Sequence, residues 1–129
     1  LHHTGREHTI PSTSQRYGDP ERLIPALEEG VTVIAAHVGS AGVRLPGMKE
    51  TFDEFVGMLP KFPNLYGDIS ALTSVGRSRY LAKILKYPEW SGRLIYGSDY
   101  PIPSSPMVMV GDLGWAKAKA LSEWFEGKL

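Results

Sequence analysis

Four short apolar segments recur along the chain at nearly equal intervals, and each carries a histidine or an aspartate at or near its end. The segments cover residues 1–3, 31–37, 65–70 and 93–99. Their polar residues are His3, His37, Asp68 and Asp99, which follow one another at intervals of 34, 31 and 31 residues. A repeat of about 30 residues is the length of one strand–helix–strand unit. The second and fourth segments are continuous apolar runs, which are typical of parallel strands buried on both faces.

Amphipathic stretches lie between these segments and predict helices. Asp19 before Pro20 predicts a helix start, and Gly30 predicts its stop. Thr51 is predicted to cap a second helix, which Pro60 ends. Two further helices are predicted over residues 77–87 and 115–125. Strand and helix thus alternate four times, an order that predicts an α/β protein with a parallel sheet.

Two smaller features complete the pattern. Residues 107–110 predict either a short strand or a patch that faces a partner. Arg77 and Arg79 open the third predicted helix, and both side chains are predicted to be solvated.

Two α/β architectures fit this order of elements, an open doubly wound sheet and a closed (β/α)8 barrel. A doubly wound sheet would carry a glycine-rich phosphate loop after its first strand, and the sequence has no such motif. A barrel carries its functional residues at the carboxyl ends of its strands, where the four polar residues lie, so the barrel is favoured. A complete barrel takes about 250 residues. Residues 1–129 are therefore expected to form one partial domain, half of a barrel that pairs with a missing N-terminal half or with a second copy.

The composition excludes several classes of function. The 129 residues include 14 Lys and Arg against 14 Asp and Glu, so no broad basic surface for nucleic acid or an anionic membrane is expected. The absence of cysteine excludes disulfides, thiolate zinc sites and cysteine nucleophiles. No apolar run reaches the roughly 18 residues of a membrane helix. We expect a cytoplasmic protein whose partner is a small-molecule substrate.

Two histidines and an aspartate at the strand ends form a candidate metal site. His3, His37 and Asp99 offer imidazole and carboxylate ligands, which suit zinc first, with manganese or iron as alternatives. A divalent metal would lower the pKa of a bound water toward 7 and supply a nucleophile. His37 and Asp99 are then also the candidate catalytic residues, since a neighbouring side chain can move the proton. As alternatives, His37 could be a buried histidine bonded to the backbone, and Asp99 could cap a turn.

Arg6, Asp68 and Tyr100 are the candidate substrate-binding residues. Arg6 follows the first strand and could hold a substrate carboxylate, with an ion pair inside its own loop as the alternative. Asp68, together with Ser70, could contact the substrate or stabilise a turn. Tyr100 directly follows Asp99.

Four motifs at the strand ends together resemble those of the amidohydrolase superfamily. They are His3-Thr4-Gly5, Ala36-His37-Val38-Gly39, Tyr66-Gly67-Asp68-Ile69-Ser70 and Tyr96-Gly97-Ser98-Asp99-Tyr100-Pro101. The similarity covers nearly the whole chain and is closest to the amidohydrolase-related metal-dependent hydrolases, a group that also includes decarboxylases. The motif around Asp99 is the most specific of the four.

This resemblance implies a fold and roles for three residues. The chain would be the C-terminal half of a TIM (β/α)8 barrel, with parallel strands five to eight and outer helices. His3 would match the metal ligand on strand five, and Asp99 the ligand and proton carrier on strand eight. His37 would match the histidine on strand six, which binds a second metal or acts as an acid, a base or a water-orienting group. The His-x-His pair of the family's strand one is absent, and some relatives work without a metal.

The resemblance also implies a reaction. The expected activity is hydrolysis of a C–N or C–O bond of a small organic acid through a metal-activated water, with metal-dependent decarboxylation as the alternative. A hypothesis of another class is that this chain alone is a catalytically inert half-barrel, which assembles with another chain.

Overall fold

A parallel sheet of four strands forms the centre of the computed structural model, as the sequence predicts. The structure describes residues 1–6, 11–42, 46–74, 76–102, 105–125 and 127, with the backbone alone at 112, 121, 124 and 125. The strands are β1 (His2–His3), β2 (Val33–Ala36), β3 (Leu65–Asp68) and β4 (Leu94–Ile95). They lie side by side in sequence order, and each pairs in parallel with the next. Consecutive parallel neighbours are the arrangement of strands in a (β/α)8 barrel.

The α-helices of the described part are α1 (Ile24–Glu28), α2 (Thr51–Met58), α3 (Ser78–Ile84), α4 (Val110–Leu113) and α5 (Trp115–Phe125). The bounds of α5 match the prediction, whereas α3 is shorter than the predicted 77–87. Pro106–Met109 is a 3-10 turn that leads into α4, so of the two alternatives for residues 107–110 the short strand was wrong. Among the described residues, we find no helix with the length and apolar character needed to cross a membrane.

Two predicted helix starts differ in detail. After Asp19 the chain first forms a 3-10 turn over Pro20–Leu23, and only then does α1 begin. Helix α2 begins at Thr51, but the Thr51 hydroxyl donates to the carbonyl of Gly39 at 2.6 Å instead of capping its own helix. This bond ties the start of α2 to the turn that follows β2. The hydroxyl therefore serves a tertiary contact that sequence reasoning had taken for a local one.

The hydrophobic core lies between one face of the sheet and the helices. Ala35 of β2 and Leu65 of β3 are fully buried against Phe52 and Phe55 of α2. Burying one such aromatic side chain contributes roughly 1.5–3 kcal/mol. Gly67 of β3 allows this close packing, because a Cβ there would lie 2.7 Å from the Phe55 ring.

The opposite face of the sheet is less covered. Ile34 of β2 and Tyr66 of β3 pair in register, and both are half-buried. Ile95 of β4, which pairs with Asp68 and so lies on this same face, is 40% exposed. Alternate residues of a strand face opposite sides of the sheet, so the helices cover one side of these strands and leave the other accessible.

Arg77 and Arg79 are half-buried and bind the loops that follow β1 and β2, so the prediction that both are solvated was wrong. Arg77 donates to the Ser40 hydroxyl at 3.4 Å and to the Arg6 carbonyl at 3.5 Å. Arg79 donates to the Ala41 carbonyl at 3.1 Å. A guanidinium group has five N–H donors, which suits it to holding several carbonyls at once. The two side chains therefore link the strand-end loops to the start of α3.

Tyr80 of α3 is expected to make the free energy of unfolding depend on pH in the alkaline range. Its side chain is fully buried beside Phe52, its hydroxyl donates to Glu50 at 3.0 Å, and Arg79 donates to it. Burial raises the pKa of Tyr80 above its ordinary value of 10.0. The folded state thus holds this proton more tightly than the unfolded state does. The resulting stabilisation is present below pH 10 and is lost as the pH rises through the higher pKa of the folded protein.

We therefore expect the free energy of unfolding of Tyr80→Phe to fall less steeply above pH 10 than that of the unmodified chain. At neutral pH the variant should be less stable, because it loses its hydrogen bond to Glu50. Urea unfolding at both pH values measures the two effects. Tyr96→Phe, at a 73% exposed position, is the matched control. Equal slopes for Tyr80→Phe and the unmodified chain would contradict the prediction.

Candidate functional site

The carboxyl ends of the four strands surround a pocket of about 400 Å³. Its walls include His3, His37, Asp68, Ser70, Gly97 and Asp99. Because the strands are parallel and pair in sequence order, all four ends lie at one edge of the sheet. The structure thus brings together His3, His37, Asp68 and Asp99, which sequence reasoning had selected as site residues.

His37 lies at the centre of this group. Its ring packs edge-on against the ring of His3, with 5.0 Å between centroids and 67° between planes. Its Nε2 atom lies 3.8 Å from Oδ1 of Asp99. That separation is longer than a hydrogen bond. His37 is nearly buried, whereas the Asp99 side chain keeps 28% of its surface exposed.

Thr4 and Gly5 explain why the first strand end approaches the second. The Thr4 hydroxyl is fully buried, donates to the Ala36 carbonyl at 2.6 Å and accepts from the Gly39 amide at 2.9 Å. Gly5 has φ +95°, and a Cβ on it would lie 2.0 Å from the Ser40 carbonyl oxygen. The hydroxyl and the missing Cβ together hold His3 beside His37.

The backbone around the pocket is strained at four positions. His37, Val38, Ala71 and Asp99 have φ values of 64°, 47°, 60° and 54°, and all four follow strand ends. Such left-handed conformations cost on the order of 1–3 kcal/mol each in residues other than glycine, and they cluster at functional sites. Both candidate catalytic residues are among the four.

Ser70, which the sequence names beside Asp68 as a possible substrate contact or turn residue, also lines the pocket. Asp68 accepts the Ser70 amide on Oδ1 at 2.9 Å and the Ser70 hydroxyl on Oδ2. The Ser70 hydroxyl oxygen in turn lies 3.0 Å from Nδ1 of His37. The signal was present in the sequence as an aspartate and a serine two residues apart at a strand end. Their contact with His37 spans 33 positions and requires the paired strands.

Arg6 and Tyr100, the other candidate substrate-binding residues, lie outside the described lining of this pocket. The Arg6 guanidinium forms an ion pair with Asp19 at 3.9 Å, which is the alternative that the sequence left open. Tyr100 is 89% exposed. Arg6 and Tyr100 therefore lie outside the group of described residues around His37.

A second cavity of about 540 Å³ shares His3 with the first. Residues 11–15, 17 and 18 form most of its wall, together with His2, His3 and Gly5. Its side chains are mainly hydroxyl, amide and aromatic groups, without a carboxylate among the described lining residues. His3 thus lines both cavities, and the carboxylates among their described lining residues belong to the first pocket.

The donor atoms of the pocket are of the kind that a divalent metal requires. Two ligands about 2 Å from one tetrahedral zinc lie about 3.3 Å apart, so His37 Nε2 and Asp99 Oδ1, at 3.8 Å, are close to the spacing of two ligands. Within the described part of the chain, however, no three or more His, Asp or Glu side chains are grouped so that they could hold an ion. The described residues therefore offer suitable donors without forming a closed ligand set among themselves.

Comparison with known proteins places a family model over most of the chain. The family model described as amidohydrolase, Amidohydro_2, matches residues 2–123. No curated protein and no solved structure matches the chain.

Proposed function

Because the chain belongs to the amidohydrolase family, we propose that it supplies catalytic residues of a metal-dependent hydrolase acting on a C–N or C–O bond of a small organic acid. The observation that carries the proposal is the pair formed by His37 and Asp99. Their side chains face each other at 3.8 Å across the pocket, and both residues have left-handed backbone. Strain of this kind persists where the surrounding structure requires the conformation.

The family generally uses divalent metals, and such an ion supplies a water of lowered pKa as the nucleophile. In this chain His3, His37 and Asp99 are the residues proposed to hold it, with zinc as the first choice. Their donor chemistry favours this assignment. The ligands still needed are proposed to come from outside the described residues.

Two side chains of the pocket then have different proposed roles in hydrolysis, one in proton transfer and one in orienting the water. We assign Asp99 Oδ1 to accept the proton of the attacking water and to deliver it to the nitrogen or oxygen of the leaving group. His37 Nε2, when it is not itself a metal ligand, accepts a hydrogen bond and so orients that water. Asp99 suits the shuttle because it is ionisable and partly exposed. Arg6 stays the proposed contact for the substrate carboxylate, in competition with Asp19.

The open edges of the sheet favour completion by further strands. β1 and β4 each pair on one side only in the described part of the chain, whereas a closed barrel has eight strands. Unpaired strand edges are sites of association. We propose that the four strands are strands five to eight, and that another polypeptide segment or a second copy completes the structure.

Native mass spectrometry followed by product analysis tests the proposal. The spectrum identifies the assembled species and any bound metal, and that species is then assayed with amides and esters of small carboxylic acids. We expect an acid and an amine or alcohol in equal amounts, without release of carbon dioxide. Carbon dioxide would favour the decarboxylase alternative. A metal-free homodimer without turnover on any substrate would favour the inert half-barrel.

A further inference from the structure

We propose that Asp68 and Ser70 are positioning residues that fix the proton of neutral His37 on Nδ1 and leave a lone pair on Nε2. This assignment deepens the proposed function, and only its catalytic consequence rests on that function. The assignment itself follows from the hydrogen bonds of the described residues.

The Ser70 hydroxyl donates its single hydrogen to the Asp68 carboxylate. A serine hydroxyl has one hydrogen to donate, and an ionised carboxylate has none. Because Ser70 Oγ is in hydrogen-bond contact with Oδ2 of Asp68, the hydroxyl donates in that direction. Oδ1 of the same carboxylate is already held by the Ser70 amide at 2.9 Å. The Ser70 oxygen, 3.0 Å from Nδ1 of His37, can therefore only accept from the ring.

A second acceptor leads to the same proton position. The main-chain carbonyl of Ser70 lies 3.3 Å from His37 Nδ1. A carbonyl oxygen has no hydrogen to donate. Nδ1 thus faces two acceptors, and an unprotonated Nδ1 would leave both contacts unfavourable. The Nδ1–H form satisfies them together.

The surroundings keep these groups in place. Asp68, Ser70 and His37 are exposed by 8%, 4% and 8%, so little water can compete for their hydrogen bonds. Gly97 packs directly over Asp68, because a Cβ at this position would lie 2.9 Å from Oδ1 of that carboxylate.

The proton position determines what His37 can do in the pocket. With its lone pair on Nε2, the neutral ring acts as a ligand or as a hydrogen-bond acceptor toward the attacking water, and it cannot polarise a substrate carbonyl by donating from Nε2. The 3.8 Å gap between Nε2 and Asp99 Oδ1 then separates two acceptors. Such a pair is stabilised by a proton donor or a cation between the two atoms.

Long-range proton–nitrogen NMR on the 129-residue chain tests the assignment, at a pH well above the usual titration range of histidine. The His37 signals are identified by their loss in His37→Asn. We expect the pattern of a protonated Nδ1 and an unprotonated Nε2. The opposite pattern in the unmodified chain would overturn the proposal. Because the readout needs no turnover, failure of the hydrolysis assay and failure of this assignment are distinguishable.

Two variants test the role of the pair. In Asp68→Asn the amide can donate to Ser70, which then donates to Nδ1, so the His37 pattern should shift toward Nε2–H. The shift should be partial, because the Ser70 carbonyl still accepts from Nδ1–H. Ser70→Ala removes one of the two acceptors, and we expect a mixture of both forms. Ser74→Ala is the matched control, since its hydroxyl bonds the Ala71 carbonyl outside this group. A His37 pattern unchanged in whichever of the two variants folds would contradict the proposal.

Discussion

Replacing Gly5 by alanine is expected to lower the free energy of unfolding by more than about 3 kcal/mol. Gly5 has φ +95°, a conformation that strains any L-amino acid. The new Cβ would also lie 2.0 Å from the Ser40 carbonyl oxygen and 3.0 Å from the carbonyl carbon of Gly39. Both atoms belong to the backbone, so no side chain can rotate away to relieve the contact. The loop after β2 must shift, and His3 must move away from His37.

Two other glycines separate the cost of the positive φ from the cost of the steric contact. Gly30 also has positive φ, but its Cβ would meet nothing within 4 Å, so Gly30→Ala should cost only about 1–2 kcal/mol. Gly57 lies in α2 with open space beside it and negative φ, so Gly57→Ala should stabilise by about 0.5–1 kcal/mol. Urea unfolding followed by circular dichroism measures all three variants. If Gly5→Ala were no worse than Gly30→Ala, the close approach of the strand ends would be disproved.

The sequence predicted the parts of this protein that depend on periodicity. Apolar runs with polar ends at nearly constant spacing identified the four strands and their parallel order, because each strand–helix unit has a similar length. The same reasoning brought His37 and Asp99 to one edge of the sheet. It needed no knowledge of side-chain contacts, since parallel strands place their carboxyl ends together.

The features that sequence reasoning missed depend on contacts between distant residues. Thr51 has the residue type and position of a helix cap, and only the proximity of Gly39 redirects its hydroxyl. Arg77 is a charged residue at a helix start, a position where side chains are often solvated. In the structure it donates a hydrogen bond to the Arg6 carbonyl in the loop after β1. Ser70 acquires its role from His37, 33 positions away. In each case a polar group satisfies its hydrogen bonds with the partner that the fold brings nearest.

The left-handed backbone at His37 and Asp99 was equally hidden from local reasoning. Propensity disfavours these conformations in residues other than glycine, so a prediction based on it would not select them. The structure holds them because the chain must turn sharply at each strand end while its side chain stays in the pocket. The conflict between local preference and observed conformation thus marks the same residues that the strand-end pattern selected.

The second large effect concerns activity, and it is expected from His37→Asn. Asparagine tolerates left-handed backbone better than most residues, so this variant keeps the φ of 64° while removing the imidazole. If His37 orients the attacking water as proposed, kcat/KM of the assembled hydrolase should fall about 100- to 10,000-fold. That loss corresponds to roughly 3–5 kcal/mol of transition-state stabilisation. Hydrolysis rates of the variant and the unmodified protein, measured on the same substrate, give the ratio.

His2→Asn is the matched control for this experiment. His2 is the neighbouring residue of the same strand, and its ring is exposed and bonds only locally to the His3 carbonyl among the contacts described. We expect its kcat/KM to stay within about threefold of the unmodified value, since surface substitutions away from a site usually change stability by less than about 0.5 kcal/mol. A His37→Asn protein that folds normally and keeps more than a tenth of the activity would contradict the assignment. The water would then have to be oriented by another residue, with Asp99 alone carrying the proton.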